Sequence, residues 1–288
     1  MLQVARLAPR LLGGSAELVS QFLLSQLQPD GGFQDRAGDS DLYYTVFGLE
    51  GLLALQTPIP SSRIAAYLRT FGDGDELDFI HLTCLARCWV ALPPPYRGEL
   101  PRDAILNRME SYRSTDGGYD HEPGSEMGTI YGCFMALAAY QDLGALPPEP
   151  ERMLPCIDRL RTDDGGYANQ DDLPLGLTPS SSAAAALYRH LDRTPPPGLD
   201  RWLLDRAYPD GGFFAIPHAP MPDLLSTAVA LHALSGMKAD ISDVKEACLD
   251  FIDSLWTNKG GFYGNWADDT LDCEYTYYGL LALGHLSL

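Results

Sequence analysis

Two kinds of segment alternate along the chain. One kind mixes apolar and charged residues at helical spacing: Glu17 to Gln28, Arg102 to Arg113, Glu151 to Arg161 and Asp243 to Trp256. Such a stripe predicts a helix with one face in water and the other on a core. The other kind is apolar on almost every side: Asp41 to Leu55, Asp78 to Leu92, Glu126 to Tyr140, Ser180 to Leu191, Asp223 to Leu234 and Asp272 to Leu286. A helix of that composition is buried on most sides. These segments end alike, on triplets such as Leu53-Ala54-Leu55 and His232-Ala233-Leu234. Proline-rich connectors such as Pro93-Pro94-Pro95 and Pro195-Pro196-Pro197 follow and block helix continuation.

A glycine signal punctuates the alternation. It reads Asp30-Gly31-Gly32-Phe33, Asp116-Gly117-Gly118-Tyr119, Asp164-Gly165-Gly166-Tyr167, Asp210-Gly211-Gly212-Phe213 and Lys259-Gly260-Gly261-Phe262, with Gly72-Asp73-Gly74 as a degenerate copy. The period of about 48 residues marks a repeat architecture. The glycine pair is expected to end each mixed helix, because glycine tolerates the left-handed C-terminal position. Six mixed and six apolar helices predict an all-α fold, an (α/α)6 toroid of six helical hairpins spanning 1–288 as a single domain. An open solenoid is the other arrangement of such repeats, but closure removes the need for polar end caps.

Charge narrows the partners. The net charge is -19, which speaks against nucleic acid, whose phosphates need a basic face. Hydrophobic content of 45% supports a packed core, and no segment reaches the roughly 18 apolar residues of a membrane span. The six cysteines include no CxxC pair; reduced thiols in a cytoplasmic protein are expected.

Four apolar helices open with an acid and a threonine: Asp41 with Thr45, Asp78 with Thr83, Asp223 with Thr227, and Asp272 with Thr276. Acids suit helix N-termini through capping and the dipole. Capping does not account for the aromatics beside them, Tyr43, Tyr44, Tyr131, Tyr275, Tyr277 and Tyr278. In a closed ring with parallel inner helices, these residues predict an acidic rim above an apolar, aromatic pocket.

At this point the residues resemble a known superfamily. Gln28-Pro29-Asp30-Gly31-Gly32-Phe33 looks like the repeat of protein prenyltransferase β subunits and, in a Gln-and-Trp variant, of squalene and terpene cyclases. Asp272-Cys273-Glu274-Tyr275-Thr276-Tyr277-Tyr278 resembles the last inner helix of a prenyltransferase β subunit. The resemblance implies an (α/α)6 barrel whose aromatic-lined cavity holds an isoprenoid chain. It also implies a catalytic zinc on an Asp-x-Cys and a His. Here those positions read Asp223-Leu224-Leu225 and Tyr275, so the zinc set is not retained. The segment that would hold a diphosphate has His218 but no lysine or arginine. The cyclase branch protonates an alkene with the middle acid of an Asp-x-Asp-Asp motif; Glu274 stands at that position.

Asp268-Asp269-Thr270-Leu271-Asp272 fits the DDxxD pattern by which prenyl diphosphate synthases hold magnesium, which makes Asp268, Asp269 and Asp272 candidate ligands. The expected catalytic residues are Asp223, Asp272 and Glu274. Tyr43, Tyr44, Tyr131, His218, Tyr275 and Tyr277 are expected to bind substrate. Three readings stand open: an isoprenoid enzyme without the family zinc site, a non-catalytic toroid that binds lipid or protein, and a β-type subunit that needs a helical α partner.

Overall fold

The computed structural model describes residues 1–171 and 173–288. Twelve helices carry the alternation. The flanking helices are α1 (Ala16–Ser25), α3 (Ser61–Arg69), α5 (Arg102–Met109), α7 (Met153–Arg159), α9 (Leu199–Leu204) and α11 (Ser242–Leu255). The core helices are α2 (Leu42–Ala54), α4 (Phe79–Ala91), α6 (Ile130–Asp142), α8 (Thr178–His190), α10 (Leu224–Met237) and α12 (Cys273–Leu286). No helix of the described residues is long and apolar enough to cross a membrane.

Two compact units divide the chain. The first joins residues Met1–Ile59 to Pro197–Leu288, and in it α12 packs on both α2 and α10. The second is the continuous segment Pro60–Pro196, in which α6 packs on both α4 and α8.

The glycine signal does a different job from the one expected. Helix α1 ends at Ser25, and Gln26 closes it in a right-handed conformation. The glycines come later, in a tight hairpin. Leu27 pairs with Phe33, Arg113 with Tyr119, Arg161 with Tyr167, Ala207 with Phe213 and Trp256 with Phe262. In each, the first glycine donates its N–H to the carbonyl three residues back, as Gly31 does to Gln28 at 3.0 Å. Its φ lies between 92° and 105°, the region that favours glycine. This is the pattern of a turn followed by a glycine bulge, so the expected helix-capping role is corrected to a hairpin role.

The hairpin delivers one aromatic ring to the core. Phe33, Tyr119, Tyr167 and Phe213 are completely buried, and Phe262 nearly so. The ring sits where the next core helix has a glycine: a Cβ on Gly48 would lie 2.2 Å from the Phe33 ring, and one on Gly279 2.7 Å from the Phe262 ring.

This hairpin also explains the acid–threonine pattern at three of the four helices; at the fourth, Thr83 donates to the carbonyl of Ile80 at 2.8 Å. Asp41, Asp78, Asp223 and Asp272 are N-caps, each accepting the backbone N–H three residues on. Thr45 and Thr227 donate to the cap carbonyl and accept from the hairpin, Phe33 N–H to Thr45 Oγ1 and Phe213 N–H to Thr227 Oγ1, both at 2.9 Å. Thr276 takes the N–H of Phe262 at 3.4 Å. These threonines are fully buried and satisfy donors that otherwise have no partner in the core. They are ties between hairpin and helix, not members of a polar rim.

Candidate functional site

The first unit gathers most of the predicted site at the N-terminus of α12. Asp272 caps this helix from an extended backbone (φ -144°, ψ 174°), and its Oδ1 accepts the N–H of Tyr275 at 2.8 Å. Glu274 follows in the first turn. Across from it, α2 presents Tyr43, whose hydroxyl donates to Glu274 Oε1 at 2.6 Å.

Arg36, which belongs to no motif of the chain, completes the cluster. Its Nε donates to Asp272 Oδ2 at 2.7 Å. Its two terminal nitrogens grip Asp268, Nη2 to Oδ2 at 2.9 Å and Nη1 to Oδ1 at 3.3 Å. The guanidinium carbon stands 5.3 Å from the centre of the Tyr275 ring. The loop that carries Arg36 is itself fixed: Asp35 Oδ1 accepts from the backbone N–H groups of Ala37, Gly38 and Asp39. Asp268 is fixed in turn by the N–H groups of Gly264 and Thr270.

The aromatic residues form a connected layer beside the acids. Tyr43 meets Tyr44 and Phe47 edge-on, with centroids 5.7 Å and 4.9 Å apart. Phe47 contacts Tyr277 and Tyr278, and Tyr278 contacts Tyr275. Phe47 was not among the predicted residues, although it lies four positions after Tyr43 on the same helix face.

The electrostatics separate the acids. Burial pushes Glu274 up from 4.5 to about 7; Tyr43 opposes this, ionised Asp272 adds to it and Arg36 opposes it. Asp272 is also raised by burial, at only 2% exposure, but the Tyr275 N–H and Arg36 hold it back. For Asp268 the desolvation is outweighed by Arg36 and by two backbone donors, so it stays below the usual carboxylate range. Tyr44 and Tyr275 are both pushed up to about 12 by burial, and next by Asp272 for Tyr44 and by Glu274 for Tyr275.

The remaining predicted residues are less concentrated. Asp223 caps α10, accepting from Ser226 N–H at 2.7 Å and Ser226 Oγ at 2.8 Å, and burial raises it. Tyr277 is buried in α12. His218 is exposed in a left-handed conformation (φ 63°) in the segment before α10. Tyr131 belongs to the second unit, where its N–H meets Asn169 Oδ1 and its residue is 41% exposed.

Neither metal expectation finds a fitting donor set. At the family's zinc position, Asp223 is engaged with Ser226, while Leu225 offers no donor atom and Tyr275 has its phenol held protonated. Of the magnesium candidates, Asp269 is exposed and bonded to Thr270. Asp268 and Asp272 do come together, with the Arg36 guanidinium bonded to both. Among the described residues there is no group of three acidic, histidine or cysteine side chains that could hold a metal ion.

The Prenyltransferase alpha-alpha toroid domain profile matches residues 10–90, 78–214 and 180–287. No curated protein matches the chain in sequence. Among solved structures, the type II terpene cyclase MstE from Scytonema is similar over 96% of this chain and 97% of its own, at 12% identity and a TM-score of 0.59. A variant of that cyclase has been solved with its substrate, geranylgeranyl dihydroxybenzoate. Candida albicans protein geranylgeranyltransferase-I, complexed with GGPP, is similar over 99% of this chain and 81% of its own, at 17% identity and a TM-score of 0.54. A polysaccharide lyase is similar at 13% identity, over 96% and 98% of the two chains, with a TM-score of 0.55. At these identities the likeness concerns the fold.

Proposed function

Because the chain belongs to the prenyltransferase alpha-alpha toroid family, we propose that it is an isoprenoid-handling enzyme of the terpene-cyclase kind, which starts its reaction with a proton from Glu274. One observation carries this reading: a buried carboxyl, raised to about 7 and bonded to the Tyr43 hydroxyl, stands beside a layer of aromatic rings. A general acid works best with its pKa near the working pH.

The neutral Glu274 carboxyl would give its proton to one carbon of a substrate double bond, leaving a carbocation on the other. Neighbouring double bonds would attack that cation in turn and close rings. The electron-rich faces of Tyr43, Phe47 and Tyr278 would stabilise the positive charge as it moves. Loss of a proton from the final cation ends the sequence, so the product is an isomer of the substrate. Glu274 regains its proton from that step or from solvent. Asp223 and Asp272, both raised by burial, would complete the polar end of the site.

The acidic surroundings favour a substrate without a diphosphate. Arg36 already serves two carboxylates, and the His218 segment has no other cation. This also weighs against a β-type subunit acting on a prenyl diphosphate through zinc.

The test is incubation with geranylgeraniol and geranylgeranyl diphosphate in D2O, followed by extraction and mass spectrometry. A cyclic isomer carrying one deuterium, made by the native protein and lost in Glu274→Gln, is the expected result. Tight binding of these lipids without any product would overturn the enzyme reading in favour of a binding toroid. A prenylated peptide formed only with a helical partner protein would favour the subunit reading.

A further inference from the structure

Asp272 and Glu274 lie two residues apart at the start of α12, both drawn out of water, and ionised Asp272 acts on Glu274. Closely coupled carboxyls titrate as a pair, and the environment decides which of them holds the proton. The surroundings of the two differ in kind. Asp272 accepts from a guanidinium and from a backbone N–H, at 2.7 Å and 2.8 Å. Glu274 accepts from a neutral phenol at 2.6 Å. A charge-assisted bond is roughly twice as strong as a neutral one.

The guanidinium is not free to choose between the two acids. Asp268 holds its far side through two bonds, the Tyr275 ring lies beneath it, and Asp35 fixes the loop that carries it. These anchors aim Nε at Asp272. The other titratable groups around the pair are Tyr43 and Tyr44 from α2, Cys273 and Tyr275 from α12 itself, Asp35 and Asp268 beside Arg36, and Asp223, which acts on Tyr275. None of them is a cation, so the charged part of the bias comes from Arg36, beside the Tyr275 N–H that also favours ionised Asp272.

We infer that Arg36 is a positioning residue that assigns the proton of the acidic pair: bonded through Nε to Asp272 and anchored by Asp268, it keeps Asp272 ionised and leaves the proton on Glu274, beside Tyr43. It acts through the carboxyls and needs no contact with substrate. The inference rests on the proposed role of Glu274, since only an acid that donates its proton gains from having that proton assigned.

Infrared spectroscopy of the protonated carboxyl band tests this on the whole protein without substrate. In the native protein a band that disappears as pH rises through about 7 is expected, absent in Glu274→Gln and retained in Asp272→Asn. In Arg36→Gln the assignment should reverse, the band surviving Glu274→Gln and vanishing with Asp272→Asn. Arg36→Lys keeps a charge near Asp272 and should restore the native assignment. If Arg36→Gln still loses the band with Glu274→Gln, as the native protein does, the inference is wrong. Should Arg36→Gln fail to fold, as judged by circular dichroism, Arg36→Met and Asp268→Asn, which frees the guanidinium, carry the same comparison. Because no turnover is read, an inactive protein with the native band pattern would count against the proposed reaction and leave the role of Arg36 standing.

Discussion

The hydroxyl of Tyr43 donates to Oε1 of Glu274 across 2.6 Å. This bond favours the ionised carboxylate and so opposes the burial that raises it. Removing the donor with Tyr43→Phe should therefore move the titration of Glu274 above about 7. The proposed reaction draws on the protonated acid, so the native rate should be flat at low pH and fall as pH rises through about 7. In Tyr43→Phe that fall should come at higher pH. Rate–pH profiles of the two proteins check this; coincident profiles would refute it.

Glu274 itself should contribute at least 100-fold to the rate, the lower end of what a positioned general acid supplies, about 10² to 10⁴. Glu274→Gln keeps the shape and the hydrogen-bonding capacity but carries no acidic proton. Single-turnover kinetics on whichever lipid is accepted give the number, and a loss below about tenfold would be too small for a proton donor.

The same carboxyl makes stability depend on pH. Its folded-state pKa of about 7 lies above its ordinary value of 4.5, so the folded chain holds this proton more tightly than the unfolded one. The contribution is fully present below pH 4.5 and is lost as pH rises to about 7, amounting to at most about 3 kcal/mol. Glu274→Gln should flatten that part of the curve. Urea unfolding between pH 5 and pH 8 measures it, with native and variant compared at each pH.

Thr227→Val removes the acceptor of the buried Phe213 N–H while keeping the side chain's volume. An orphaned buried donor costs about 1–3 kcal/mol, and the loss should appear as a lower urea midpoint at unchanged slope. Serine in place of Thr227 keeps the hydroxyl and should recover most of it.

Gly132→Ala inverts an ordinary expectation. Alanine in a helix normally stabilises by about 0.8–1 kcal/mol over glycine. Here its Cβ would lie 2.2 Å from the carbonyl oxygen of Tyr119, in the hairpin backbone. The hairpin has to shift, so a net destabilisation of about 1–3 kcal/mol is expected, again by urea unfolding.

What the sequence disclosed follows from local physics. The apolar segments found the core helices, with α2, α4 and α12 starting one residue after their capping aspartates, as the pattern required. Helix α6 begins at Ile130 rather than near Glu126, because Thr129 is its cap and Gly128 packs against the Gly118 hairpin. The glycine pair misled because its position after a helix looks the same for a cap and for a hairpin; the turn bond that distinguishes them is not written in residue types. The threonines misled in a similar way, since a face shared with an acid can point to a cavity or to a buried N–H. Arg36 was out of reach for another reason. Its partners lie 232 and 236 residues further on, and a lone arginine in a polar loop carries no signal of them.

That separation has a consequence for synthesis. The second unit is one continuous stretch, Pro60–Pro196, whose helices leave the ribosome in unbroken succession. The first unit waits: its opening residues, Met1–Ile59, emerge early, but α10 and α12 come last. Until the final helix is released, the early segment has neither Asp272 for Arg36 nor Glu274 for Tyr43. A chain that stalls or is cut before Asp272 therefore lacks both carboxyls, and the contacts of Arg36 and Tyr43 form only once α12 has been made.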